Sequence, residues 1–167
     1  IVGYTNAGKS TLLNQLTGAC IPANNRLFDT LDTTSRLLTV SDTLDVVISD
    51  TVGFIRKLPH HLIEAFKSTL EEARYSDIVL HVVDCSNPQM DMQMHVVKET
   101  LKELEIVDKT IVTVFNKVDR FRELEAMGDS SVMQIPRDFS SDYQVRISAR
   151  TGEGMEELQK VLQAIIR

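Results

Sequence analysis

Residues 3–11 read Gly3-Tyr4-Thr5-Asn6-Ala7-Gly8-Lys9-Ser10-Thr11, and no other stretch constrains the chain so tightly. The run fits G-x-x-x-x-G-K-[ST], the phosphate-binding loop of nucleotide triphosphatases. Gly3 and Gly8 let the backbone turn sharply enough to aim successive N–H groups at phosphate oxygens. Lys9 adds a cation for the β- and γ-phosphates, and the Ser10 hydroxyl is a ligand for Mg²⁺. A helix must follow, because its first amides are unpaired and its dipole favours an anion there. Residues 11–16 supply one, with Leu12, Leu13 and Leu16 on one face. A glycine turn arising by chance is the alternative, and the partners downstream weigh against it.

A chain of 167 residues is expected to form one domain, residues 1–167, with a sizeable core. The opening Ile1-Val2 reads as the tail of the strand that feeds the loop, so the expectation is a domain excised from a longer protein. A net charge of −6 argues against a nucleic-acid grip over the whole surface, yet leaves room for a local basic patch or a ribosomal partner. Cys20 and Cys85 lie far apart and outside any C-x-x-C pattern, which suits reduced thiols in a reducing, cytoplasmic setting. There is no apolar run of about 18 residues to span a membrane, and no signal peptide.

Along the chain, residues 17–34 are polar and irregular, a loop long enough to be functional or disordered. Residues 36–40 and 45–49 are two short strands joined by a turn-like cluster, an antiparallel hairpin. Pro59 can open a helix that runs to about Tyr75, with Leu62, Ala65, Phe66, Leu70 and Ala73 at helical spacing. Residues 78–84 are nearly all apolar, as a strand buried on both faces should be. Asn87-Pro88 reads as a cap with proline at the first helical position, opening a helix to about Leu104. Then come a buried strand at 110–115, a short helix at 121–127, a loop at 128–142, a strand at 144–148 and an amphipathic helix at 155–166. Strands alternating with helices imply an α/β fold. The expected sheet is six-stranded and mostly parallel with one antiparallel edge strand, carrying helices on both faces. Ligands of such sheets bind at the carboxyl ends of the strands, where the polar motifs fall.

Asp50-Thr51-Val52-Gly53 ends the second hairpin strand. The Asp50 carboxylate would hold Mg²⁺ through water, and Gly53 leaves room for its N–H to approach a γ-phosphate. Asn116-Lys117-Val118-Asp119 follows a buried strand. Asp119 is placed to accept hydrogen bonds from guanine's ring N–H and exocyclic amine. Adenine lacks both donors, so the carboxylate would be left unpaired against it. Asn116 and Lys117 would brace the base and the phosphate loop. Ser148-Ala149-Arg150 follows the last strand, where backbone N–H groups could meet the guanine carbonyl.

Together these motifs resemble those of a translational-type GTPase domain, in motif order and in strand order over the whole chain. Leu27-Phe28-Asp29-Thr30-Leu31-Asp32 resembles the first switch of the HflX family. Asp50-Thr51-Val52-Gly53-Phe54-Ile55 with Leu58-Pro59-His60 is similar to that family too, as is Gly3-Tyr4-Thr5-Asn6. The resemblance implies GTP and GDP as ligands and a phosphate-loop G domain as the fold. Thr30 is then the switch threonine that completes the Mg²⁺ shell, and the bacterial-type ribosome and its 50S-type large subunit are the partner. Where the family often shows Ala and Pro, this chain has Asp29 and Thr33. Asp29 puts a negative charge near phosphates, either weakening binding or adding a Mg²⁺ contact, and Thr33 removes a stiffener from the switch.

Many small GTPases carry a water-orienting glutamine directly after the glycine of the second motif. Here that position is Phe54, which has no hydrogen-bonding group, so intrinsic hydrolysis should be slow. Asn6 resembles the loop asparagine that coordinates K⁺ in related GTPases, and an asparagine that merely shapes the turn is the equal alternative. The catalytic set expected is Lys9, Thr30, Gly53 and Asn6, with Ser10, Thr30 and Asp50 as metal ligands. Arg26, His60 and His61 read as solvated or capping residues, and His81 as a core histidine. The expected product is a monomeric, Mg²⁺-dependent GTP hydrolase that switches over residues 26–36 and 50–57. A GTP-binding regulatory module with negligible turnover is the alternative. A phosphate-loop ATPase or kinase is a third reading, which Asp119 opposes.

Overall fold

The computed structural model describes residues 1–4, 6–18, 34–42, 44–50, 71, 73–103, 106, 108–129, 135 and 140–166. In chain order these form β1 (Val2–Gly3), α1 (Lys9–Thr17), β2 (Thr34–Ser41), β3 (Leu44–Asp50) and β4 (Ile78–Asp84). They continue with α2 (Met90–Glu103), β5 (Thr110–Asn116), α3 (Val118–Ala126), β6 (Tyr143–Arg146) and α4 (Met155–Ile166).

β4 and β5 are apolar on both faces, and they take the centre of a parallel sheet in the order β1-β4-β5-β6. Side chains that alternate along these strands serve two cores. Leu80, Val82, Val112 and Val114 meet Leu12, Leu13 and Leu16 of α1 and Leu158 and Leu162 of α4. On the other face Val79 packs with Val97 and Leu101 of α2, while Val83 and Phe115 pack with Met90 and Met94. Gly3 permits the close approach of β1 to β4: a Cβ there would stand 2.6 Å from the Val82 carbonyl oxygen. His81 is a buried strand residue at 2 % exposure, as its apolar neighbours imply.

β2 and β3 pair antiparallel as the hairpin the sequence predicts, with Leu38 and Ile48 turned into the α1 core. The single six-stranded sheet is not drawn among the described residues. The strands divide into a four-stranded parallel sheet and this two-stranded ribbon. β1 pairs through Val2 and Gly3 with His81 and Val82 of β4. A bond of 2.6 Å from the Ile1 nitrogen to the Ser49 carbonyl links the two parts.

Three boundaries move. α3 starts at Val118 rather than near Phe121, because Lys117 adopts a left-handed backbone (φ 67°) and launches the helix directly from the motif. α2 starts at Met90, after a turn in which Asn87 Oδ1 accepts the Gln89 N–H at 2.8 Å, so Pro88 precedes the helix instead of opening it. β6 ends at Arg146, and Ser148 instead forms an isolated bridge with Glu153. Of the helix expected at 59–75, the stretch 73–75 is helical and residues 59–70 lie outside the described residues. Among the described residues, no helix is long and apolar enough to cross a membrane.

Candidate functional site

The parallel register puts the ends of neighbouring strands side by side: Asp84 of β4 stands opposite Asn116 of β5. Two helices leave from this edge, α1 after Gly8 and α3 after Lys117, and both preceding residues have left-handed backbones (φ 100° and 67°). At Gly8 only glycine fits, since a Cβ would stand 2.2 Å from the Asn116 amide nitrogen.

Asn116 is buried at 2 % exposure and uses both ends of its amide. Its Nδ2 donates to the Ala7 carbonyl and its Oδ1 accepts the Ala149 N–H, each at 2.9 Å. One side chain therefore fixes the distance between the phosphate-type loop and the 148–150 loop. Lys117 reaches the same loop, donating from Nζ to the Asn6 carbonyl at 2.8 Å. Asp84 Oδ2 holds that ammonium at 3.1 Å, while its Oδ1 accepts the N–H and hydroxyl of Ser86 at 2.9 and 2.5 Å.

Asp119 opens α3 with its side chain 15 % exposed. Its Oδ2 accepts from Arg150 Nε at 3.1 Å and from Arg150 Nη2. Burial opposes ionisation, but hydrogen bonds from Arg150, Ser148 and the Arg120 backbone outweigh it, so the carboxyl lies below the usual range. Asp119 is thus a charged acceptor beside Ser148 and Arg150, while the Ala149 N–H is held by Asn116 Oδ1. A charged carboxylate of this kind can read a ligand edge that carries two donors. Ser148 Oγ also accepts the Thr151 N–H at 3.2 Å, and the Gly152 N–H bonds the Ser148 carbonyl at 2.8 Å, closing the loop on itself.

On the phosphate side, Lys9 is buried at 8 % exposure and Ser10 is half-buried in the first turn of α1. Asp50 is buried at 2 % at the end of β3, and Lys9 starts the helix that follows the loop. A hydroxyl and a carboxylate are hard oxygen donors of the kind Mg²⁺ takes, so the described residues fit that ion. Tyr4, Ala7 and Thr11 lie in the same loop and helix start, and Val118 packs below it in the Phe115 cluster.

The other residues predicted for the site lie outside the described residues. They are Thr5, the run 19–33 with Phe28, Asp29, Thr30, Leu31 and Asp32, and the run 51–70 with Thr51, Val52, Gly53 and Phe54. Asp84 braces the assembled site and the Arg122–Glu153 pair borders it, and all three escaped the sequence. Arg122 Nη1 donates to Glu153 Oε2 at 2.9 Å and Nη2 to Oε1. Asp84 could have been suspected from its place at a buried strand's end. Nothing in the spacing joins Arg122 to Glu153. Cys85, whose thiol donates to the Asn116 carbonyl at 3.0 Å, is pushed up to about 12 by burial and then by the Asp84 charge. It is a packing thiol.

A family model described as "50S ribosome-binding GTPase" matches residues 1–117. A protein of Lacrimispora saccharolytica named GTPase HflX is 65 % identical over the whole chain, which covers 37 % of that relative. The Escherichia coli protein of the same name is 40 % identical over 97 % of the chain, again covering 37 % of the relative. The chain thus spans little over a third of the length of these relatives. Among solved structures, a GTP-binding protein of Sulfolobus solfataricus in complex with GDP superposes with a TM-score of 0.69 at 26 % identity. The match covers 98 % of this chain and 50 % of that one.

Proposed function

The chain belongs to the HflX family of GTPases, and on that premise we propose that it binds GTP and hydrolyses it to GDP and phosphate, residues 1–167 acting as one nucleotide-binding domain. The observation that carries this reading is the Asn116 amide, which ties Ala7 to Ala149 and so joins a phosphate-side loop to a base-side loop in one rigid frame. Asp119 accepts from the guanine ring N–H and exocyclic amine, and backbone N–H groups of the 148–150 loop meet the guanine carbonyl. The loop amides of residues 3–11 and the Lys9 ammonium take the β- and γ-phosphates.

Ser10, Asp50 and Thr30 are the residues that would hold Mg²⁺. The ion would neutralise charge on the transferring phosphoryl group. In the reaction a water oxygen bonds to the γ-phosphorus as the bond between that phosphorus and the β–γ bridging oxygen breaks. GDP leaves with the bridging oxygen, and the water proton passes to the released phosphate. Lys9 and the loop amides hold the oxygens where charge develops. The Gly53 N–H approaches the γ-phosphate, and loss of that phosphate releases the two switch segments.

Phe54 cannot orient the attacking water, so the chain turns over slowly by itself. We place a K⁺ site at Asn6, whose carbonyl is already anchored by Lys117. A cation there does electrostatically part of what an arginine finger does. The proposed partner is the large ribosomal subunit, with the protein a cytoplasmic monomer. Phe54 also favours a second reading, a GTP-responsive module with almost no turnover.

Phosphate release in K⁺ and in Na⁺, with and without ribosomal subunits, tests the function. Turnover should be slow in the isolated protein, faster in K⁺, and faster again with the large subunit. Asn6→Ala should remove the K⁺ advantage while GDP binding persists. Equal rates in both salts would remove the K⁺ site. No release of phosphate from GTP under any of these conditions would leave the regulatory module standing.

A further inference from the structure

α3 and the 148–154 loop face each other with opposite charge patterns. α3 carries Asp119 and, one helical turn on, Arg122. The loop carries Arg150 and, three residues on, Glu153. The pairs form across the gap in opposite polarity, Arg150 to Asp119 and Arg122 to Glu153. Asp119 and Arg150 lie in the nucleotide motifs. Arg122 and Glu153 lie outside them, yet their contact is the two-pronged kind, Nη1 to Oε2 and Nη2 to Oε1.

Glu153 stands at a mechanically sensitive point. Its carbonyl accepts the Ser148 N–H at 2.9 Å and its own N–H bonds Thr151 Oγ1 at 3.4 Å. The next residue, Gly154, cannot carry a side chain, since a Cβ would stand 2.2 Å from the Arg146 carbonyl oxygen. Anchoring Glu153 to α3 therefore anchors Ser148 and the Ala149 N–H beside it. Arg122 raises the charge preference of its partner, and the Glu153 carboxyl is held below its ordinary value chiefly by the Arg122 hydrogen bond.

We propose that the Arg122–Glu153 pair is a positioning clasp that holds the base-reading loop against α3, and so sets how long a guanine nucleotide stays bound. The proposal rests on the guanine-nucleotide reading of the site. Neither residue lies in the nucleotide motifs, so both are positioning residues. An exposed pair is weak by itself and weakened further by salt. Its effect should therefore be a modest change in dissociation rate, without loss of fold.

The test uses the natural-length protein and release of a fluorescent GDP by stopped flow, at low and high salt. Arg122→Gln and Glu153→Gln should each speed release about three- to five-fold, and the double variant should be no faster than either single, as for one shared interaction. The charge-swapped pair R122E/E153R should recover part of the loss. High salt should bring wild type toward the single variants. In turnover the variants should raise KM with kcat nearly unchanged. Melting temperatures should stay close to wild type, since an exposed pair adds little to stability. Wild-type release rates in both single variants would overturn the clasp, as would additive effects in the double. Wild type that retains no GDP would overturn the guanine-nucleotide reading, and the clasp with it.

Discussion

Asn116 is the residue on which the two halves of the site meet. Replacing it with alanine removes two buried hydrogen bonds and leaves the Ala7 carbonyl and the Ala149 N–H without that partner. Each neutral bond is worth about 0.5–1.5 kcal/mol, and a buried group left unsatisfied costs about 1–3 kcal/mol. Asn116→Ala should therefore lower stability by about 2–4 kcal/mol in urea unfolding and weaken nucleotide binding more than that loss explains. At this scale the sequence was a good guide to chemistry and a poor guide to contacts. Asp119, Asn116 and Lys9 announce themselves by type and spacing. Asp84, Arg122 and Glu153 do not, because an ion pair between residues 31 apart depends on how two elements dock, and that information is spread over the whole core.

At the scale of elements, the two periodicities are what made the fold readable. The apolar runs at 78–84 and 110–116 became the central strands, and the 3.6-residue spacing of Met155, Leu158 and Leu162 became the buried stripe of α4. Boundaries followed less well. α3 begins earlier than its apolar pattern suggests because a left-handed Lys117, not a side-chain cap, starts it. Residues 144–148 read as one strand, but the chain breaks pairing after Arg146 to wrap the Ser148–Glu153 bridge. The helix stripes can be tested directly. Leu158 is fully buried between α1 and the sheet, and Leu158→Ala should cost about 2–5 kcal/mol by cavity formation. Thermal unfolding should show the loss, while GDP affinity at low temperature stays near wild type because α4 reaches the site only through its N-terminal loop.

Over the whole molecule, a parallel sheet sends its strand ends to one edge. Motifs more than a hundred residues apart thereby become neighbours, as the Lys117-to-Asn6 bond at 2.8 Å shows. Asn116 couples the loop at Ala7 to the loop at Ala149. Guanine selectivity is the property on which the account stands, and a competition measurement tests it most directly. A fluorescent GDP bound to the natural-length protein is challenged with GTP, ATP and xanthosine triphosphate in the presence of Mg²⁺. GTP should displace it readily and ATP should not, because a missed buried polar pairing costs selectivity of about 10⁴–10⁵. Asp119→Asn should move the preference toward the xanthine nucleotide, which offers a carbonyl where guanine has its amine. ATP competing as well as GTP, with Asp119→Asn unchanged, would contradict the account.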